Sequence, residues 1–197
     1  MFQRVWQLPP GQDYSAFQML VTSLSGGAVA AVAASPCELV MIQQQLHGGS
    51  LAGTLRRVCS RGLGSQGLFR GLLPTMARDG LYVSGLLGVT PVVQGYLVRR
   101  QGLSSSKASF VASITGGVLC SLGSHPVDIV KTCMQGDLEQ RRFSTPSGTF
   151  VSLWREGGPR RIFLGALPRA INITATIYIA NECVLRLSPL FFGIELD

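Results

Sequence analysis

Long stretches of the chain carry no charge at all. Tyr14 to Cys37 has none between Asp13 and Glu38, Gly80 to Val98 none between Asp79 and Arg99, and Ala108 to Val127 none between Lys107 and Asp128. Roughly 20 mostly apolar residues cross the hydrocarbon of a bilayer as a helix, so each stretch predicts one span. Ala170 to Asn181 is a shorter fourth, with Arg169, Glu182 and Arg186 close to its ends.

Composition supports the same reading. Only 14% of the 197 residues are Asp, Glu, Lys or Arg, against about 25% in an average soluble protein. With 46% apolar residues and 24 glycines, disorder, collagen and coiled coil are excluded, and a membrane class in which glycine is common within spans is favoured. Seventeen Lys and Arg against ten Asp and Glu give +7, and many of the cations fall in Arg56 to Arg70 and Arg141 to Arg161. Beside spans, such loops suit anionic headgroups. No RNP, zinc or helix-turn-helix pattern accompanies them, so no nucleic-acid partner is expected. Cys37, Cys59, Cys120, Cys133 and Cys183 show no C-x-x-C spacing, and His47 and His125 stand apart; no metal, cofactor or catalytic site is proposed. Met1 to Gln12 has neither the h-region of a secretory signal nor a transit-peptide pattern.

The chain repeats itself. Gly26-Gly27 lies ten residues before Pro36 and Gly116-Gly117 ten before Pro126, an offset of 90 at which Glu38 matches Asp128 and Gln45 matches Gln135. Downstream, Phe69-Arg70-Gly71 with Pro74 answers Phe163-Leu164-Gly165 with Pro168. Each unit reads as a span, a basic loop with a short amphipathic piece, and a second span. A proline within a span kinks the helix and frees a carbonyl, tolerable only where neighbours can satisfy it; Pro36 and Pro126 are the expected kinks. Beyond them Glu38, Met41 and Gln45 share one face, as do Asp128, Lys131 and Gln135. Carboxylates at the hydrocarbon edge are costly and mark a pathway by default. Upstream, Gly26, Ala30 and Ala34, and likewise Gly116, Cys120 and Ser124, give small residues four apart, the spacing that lets helices approach closely in lipid.

On these residues the sequence resembles the mitochondrial carrier family, whose signature is proline, x, acid, x, x, cation, then an amphipathic matrix helix, an acid-glycine pair, and aromatic-cation-glycine before the next span. Pro126, Asp128, Lys131, Glu156-Gly157, Phe163 and Gly165 match it, as do Pro36, Glu38 and Phe69-Arg70-Gly71. Met41 stands where the family has a cation, Arg61-Gly62 where an acid-glycine pair is expected, and Leu164 in place of a cation. The family has three repeats; this chain is similar to the second and third. The resemblance implies an all-α membrane bundle of kinked transmembrane helices with short matrix helices. Its organisation would be an N-terminal segment 1–13, one repeat over 14–100, another over 101–187 and a tail 188–197.

It also implies roles. Glu38 would pair with Lys131 as a matrix-side gate, with Gln45 and Gln135 as brace positions, and Asp128 would look for a cation from the repeat not represented here, being otherwise hydrated, neutralised or partnered by another chain. Arg78 and Asp79 fall where family members contact substrate, the rival for Arg78 being interfacial snorkelling. In the last repeat one register lands on Arg169 and another on Asn172. A guanidinium there suits a carboxylate, so the implied function is exchange of small carboxylates, citrate-like or 2-oxoglutarate-like, by alternating access in the mitochondrial inner membrane, with cardiolipin-like anionic lipid at the matrix helices. The alternative is a degenerate or truncated carrier that inserts without transporting alone, pairing with another carrier chain.

Overall fold

The computed structural model describes residues 15–192; segment 1–13 and the end of the tail lie outside them. Among the described residues the chain is helical, with no strand. Helices α1 (Ala16–His47) and α5 (Ser105–Gly136) have 32 residues each, and both run unbroken past an internal proline, Pro36 and Pro126. A proline removes one backbone donor and crowds the carbonyl four residues back, but the turns on either side carry the helix on. The signature residues after each proline therefore sit on helical extensions of the spans.

Short helices follow in the basic loops: α2 (Leu51–Cys59), begun by the Ser50 side chain accepting from Gly53 N, and α6 (Pro146–Ile162), begun likewise by Thr145 on Gly148 N. α6 is interrupted at Gly158, whose φ of 56° and ψ of −145° leave the helical region, a conformation open mainly to glycine. Gly71 and Gly165, equivalent in the two units, both take positive φ, 75° and 81°, which is why the aromatic-x-glycine triplet ends on glycine at the entry to each second span.

The second span is continuous, as the sequence predicted, but carries a π-helical turn. It comprises α3 (Leu72–Ser84), a π-helical turn Gly85–Val89, and α4 (Thr90–Gln101), closed by Gly102 in the left-handed region. Pro91 lacks a backbone donor, and the Thr90 hydroxyl donates to the Gly85 carbonyl at 2.8 Å. The last helix is α7 (Ala166–Phe192). Three stretches, 16–47, 72–101 and 105–136, are long and apolar enough to span a membrane, and four if the bent pair α6 and α7 counts as one.

By its internal contacts the chain forms two compact units, one of residues 15–26, 82–121 and 167–192, the other of 27–81 and 122–166. In the first, small residues set helix distances: a Cβ on Gly85 would fall 2.6 Å from Cys120 Cβ, and one on Gly117 would fall 2.7 Å from Thr174 Cα. Phe110 meets Tyr178 edge to face at 5.6 Å. In the second, α2 covers α1 through Val58 on Leu39 and Val40, and α6 covers α5 through Leu153 and Ile162 on Val130 and Met134.

One packing expectation is corrected. On α1 the buried small residues are Ser23, Gly27, Ala31 and Ser35, one position on from Gly26, Ala30 and Ala34; Gly26 has open space where a Cβ would go, and Ala30 is exposed. On α5 both stripes are buried, Gly116, Cys120 and Ser124 as well as Ser113, Gly117 and Ser121. α5 packs on two sides where α1 packs on one.

Candidate functional site

The charged residues inside the spans converge in the second unit. α3 begins at Leu72, so Arg78 and Asp79 lie within the helical span and not at its edge. On α1, Gly27 lets the backbone of α3 come in, since a Cβ there would lie 2.9 Å from Gly80 Cα and closer still to the Asp79 carbonyl. Helical side chains lean toward the N-terminus, so Arg78 reaches back along α3 toward the Leu72 end, where Glu38 and Asp128 project from α1 and α5.

Arg78 is the hub. Its Nη2 donates to Glu38 Oε1 at 2.6 Å, its Nε to Asp79 Oδ1 at 2.7 Å, and its Nη1 lies 3.5 Å from Asp128 Oδ1. The other oxygen of Glu38 accepts from Lys131 Nζ at 2.5 Å. Lys131 is 3% exposed and the Arg78 side chain 17%, so this is a shielded cluster with one wetter corner. It contains three carboxylates and two cations, an acid excess of one, and unpaired charge at this depth is costly. Each acid is therefore held by at least one cation. This corrects the expectation that Asp128 finds no cation in this chain: Arg78 supplies one. It also turns Arg78 from snorkelling toward the cluster.

The two brace positions part company. Gln135 is buried, and its Nε2 donates to the Arg70 carbonyl at 3.2 Å. Gln45 is exposed; the glutamine that turns inward from α1 is Gln43, 1% exposed, donating to the carbonyls of Gln135 at 2.6 Å and Gly136 at 3.0 Å. Arg70, to which the sequence assigned no role, is 1% exposed and donates from Nε to the Met134 carbonyl and from Nη2 to the Phe143 carbonyl, both at 2.6 Å. Gln43 and Arg70 together satisfy the last carbonyls of α5, groups that a helix end leaves without partners. Burial pulls the Arg70 guanidinium below the usual arginine value, opposed by the charge of Asp137. Burial alone would push Asp137 up, but the backbone N–H groups of Phe143, Arg142 and Arg141, with Arg70, hold its carboxyl below the ordinary carboxylate value. The aromatic-cation-glycine triplet was the visible signal for Arg70; nothing in spacing distinguished Gln43 from its neighbours.

Arg169 belongs to the first unit, half-buried in the first turn of α7 and interacting electrostatically with Cys120, whereas Asn172 of the other register is exposed. In that unit the Asn181 amide donates to Gln94 Oε1 and to Ser109 Oγ, each at 2.9 Å, joining α7 to α4 and α5 through neutral groups. Arg186 pairs with Glu182 at 3.2 Å along α7. Gln94 lies on the span that lacked an acid and was not foreseen. In the loops, Arg142 pairs with Glu156 of the acid-glycine motif, beside a surface groove lined by Ser147, Gly148, Ser152 and Arg155.

The family model for the mitochondrial carrier protein matches residues 12–101 and again 104–182. The chain is 29% identical over 174 residues to the mitochondrial glycine transporter of Mus musculus, covering 83% of this chain and 52% of that protein. It is 26% identical over 186 residues to mitochondrial brown fat uncoupling protein 1 of Ovis aries, covering 90% and 61%, and 29% identical over 191 residues to solute carrier family 25 protein Shawn of Drosophila melanogaster, covering 88% and 46%. The chain spans about half the length of these relatives. With two successive matches across most of its length and apolar helices of spanning length in place, the chain belongs to the mitochondrial carrier family, multi-pass proteins of the mitochondrial inner membrane.

Proposed function

We propose that this chain supplies two repeats, over 14–100 and 101–187, of a carrier that exchanges a small carboxylate-bearing solute by alternating access, with Arg78 as the carboxylate anchor. The observation that carries the reading is the guanidinium of Arg78 inside a span, next to Asp79 and within reach of both Glu38 and Asp128. Opening and closing would turn on the Glu38–Lys131 contact, with Asp128 and Gln135 beside it, on helices that pass through Pro36 and Pro126, and with Gln43 taking the inward position in place of Gln45.

The charge of the cluster narrows the substrate. Three carboxylates already compete for two cations, so a citrate-like or 2-oxoglutarate-like substrate would add two or three more negative charges, and the relatives named above do not support one. An amino acid brings its own ammonium, for which Asp79 is the adjacent partner while Arg78 takes the carboxylate. The mouse relative is named a glycine transporter, and glycine is the first substrate to try. The groove at Arg142, Ser147, Gly148 and Arg155, at the N-terminal end of α6, has the donors and charge to hold a cardiolipin-like headgroup.

Purified protein in liposomes should exchange radiolabelled glycine faster than citrate, and Arg78→Ala should abolish that exchange. Equal glycine exchange by Arg78→Ala would refute the anchor.

A second reading has its own observation. Met41 is 52% exposed where the family has a cation, and the Gly26–Ala30 side of α1 is open where the equivalent side of α5 is covered. On that reading the chain inserts without transporting alone, and a further repeat from another carrier chain covers this face. Exchange that appears only on co-reconstitution with such a chain would favour it; exchange by the purified chain alone would remove it.

A further inference from the structure

We infer that a cleft between the start of α1 and the end of α4 is a binding site for an anionic glycerophospholipid of the surrounding bilayer, with an acyl chain in the cleft and the phosphate at Arg100 and Arg99. The site is independent of the carried solute and of the charged cluster, since its lining residues all belong to the compact unit that contains neither Arg78 nor Glu38.

Glycines set the shape. The second span touches α1 where Gly88, in the π-helical turn, meets Leu20; a Cβ on Gly88 would fall 2.8 Å from Leu20 Cδ2 and 3.4 Å from its Cα. Seven residues on, a Cβ on Gly95 would meet nothing within 4 Å. The helices therefore part between these two points, where Pro91 lies, and leave a wedge of about 480 Å³. Its walls are apolar, with Met19 on α1 facing Pro91, Val92 and Gly95 on the second span. Val92, Gly95, Tyr96 and Arg99 follow one another at helical spacings on one face of α4. That face ends in a phenol and, with Arg100, two guanidiniums, all three exposed at the mouth of the wedge.

This arrangement fits a headgroup boundary. Tyrosine favours the level of the headgroups, and cations beside a span attract anionic lipid. Arg99 is the first charge after the uncharged run that begins at Gly80, which puts the mouth where that run leaves the hydrocarbon. The charge balance agrees. Among its described residues this compact unit has Arg99, Arg100, Lys107, Arg169 and Arg186 against Glu182, and Glu182 is paired with Arg186. The helix dipole by itself favours cations in the last turn of α4, but it accounts for no cleft beneath them. Arg99 has a further contact within the chain, so Arg100 is the residue to test.

Retained lipid, counted by native mass spectrometry of the full chain released from detergent micelles, tests the site, with phosphatidylglycerol set against phosphatidylcholine of the same acyl chains. The groove on α6 is unchanged in every variant, so differences between variants read this cleft. Arg100→Gln should weaken phosphatidylglycerol retention about fivefold, the worth of one cation at an anionic surface. Lys107→Gln, which removes the same charge outside the cleft, should retain lipid as the wild type does. Gly95→Leu fills the wedge without touching a charge and should also lose this lipid, while its Tm in lipid-free detergent should not fall, because the added side chain enters open space. Equal weakening by Arg100→Gln and Lys107→Gln would mean diffuse attraction and overturns the site. The same differences seen with phosphatidylcholine overturn the anionic headgroup, and wild-type retention by Gly95→Leu overturns the wedge. A lower Tm for Gly95→Leu in lipid-free detergent means that the chain itself fills the cleft, which overturns the lipid. Displacement of the lipid by an equal concentration of glycerol phosphate would make the ligand a free phosphate and overturns the bilayer source.

Discussion

Two adjacent glycines should respond in opposite directions to the same substitution. Gly27→Ala places a methyl group 2.9 Å from Gly80 Cα and closer to the Asp79 carbonyl. Both are backbone atoms, so neither can swing aside and the helices must separate. Overpacking of this kind costs about 1–3 kcal/mol, partly offset by the gain of about 0.5–1 kcal/mol when a helical glycine becomes alanine. A net loss of roughly 1–2 kcal/mol corresponds to a fall in Tm of about 2–8 °C for a chain of this size. Gly26→Ala meets nothing within 4 Å, so only the helix-forming gain remains and Tm should rise by about 1–4 °C. The equivalent pair on α5 supplies the control. Gly116 and Gly117 both face neighbours, Thr90 and Thr174 respectively, so alanine at either position should lower Tm. Thermal unfolding of the purified protein, followed by tryptophan fluorescence, reads all four variants. If Gly27→Ala is as stabilising as Gly26→Ala, the close approach of α1 and α3 described above is wrong.

Arg70→Ala leaves the Met134 and Phe143 carbonyls without their donor, at about 1–3 kcal/mol for each buried group; Arg70→Lys should recover only part of this in denaturant unfolding, because one ammonium cannot reach both oxygens. Asp137 has its folded pKa held below the ordinary 3.8, so its contribution is present above that value and is lost as the pH falls through the folded pKa. Wild-type Tm should accordingly drop below about pH 4 more steeply than that of Asp137→Asn, and parallel profiles would argue against the loop contacts. Glu38→Gln leaves buried Lys131 without its carboxylate and should lower Tm, while the charge swap Glu38→Lys with Lys131→Glu should recover only part of the loss, since Lys at 38 would face Arg78; full recovery would mean that Arg78 is not part of the cluster.

What the sequence made legible was whatever repeats. The 90-residue offset and the charge-free stretches mark the spans and the two prolines, because each is set by a spacing that local helix geometry preserves; the approach of Glu38 to Lys131, 2.5 Å in the structure, came with the family resemblance. What it hid depends on facing rather than spacing. Gly26 and Gly27 are adjacent, and either could start a run of small residues four apart; only the incoming backbone of α3 decides that Gly27 is the packed one. The same ambiguity made Gln45 a brace position when Gln43 is the residue turned inward. For Arg78 the resemblance implies a substrate contact, with interfacial snorkelling as the rival because the uncharged run begins at Gly80; the helix starts at Leu72 and carries the charge inside, where partners on two other helices neutralise it. The π-helical turn at Gly85–Val89 leaves no mark in an apolar run.

The cluster around Arg78 is tightly interdependent. Five charged side chains from three helices are tied into one network, and no member can leave without exposing another to a poorly hydrated span, where an unmatched charge is costly. Such a network resists small displacements and favours a change in which one anion is replaced by another. On the proposal that Arg78 anchors a carboxylate, a solute that brings one meets that condition. On the same proposal, the acid excess of one favours a species carrying both charges, which would satisfy Arg78 and Asp79 together and leave the balance of the network unchanged.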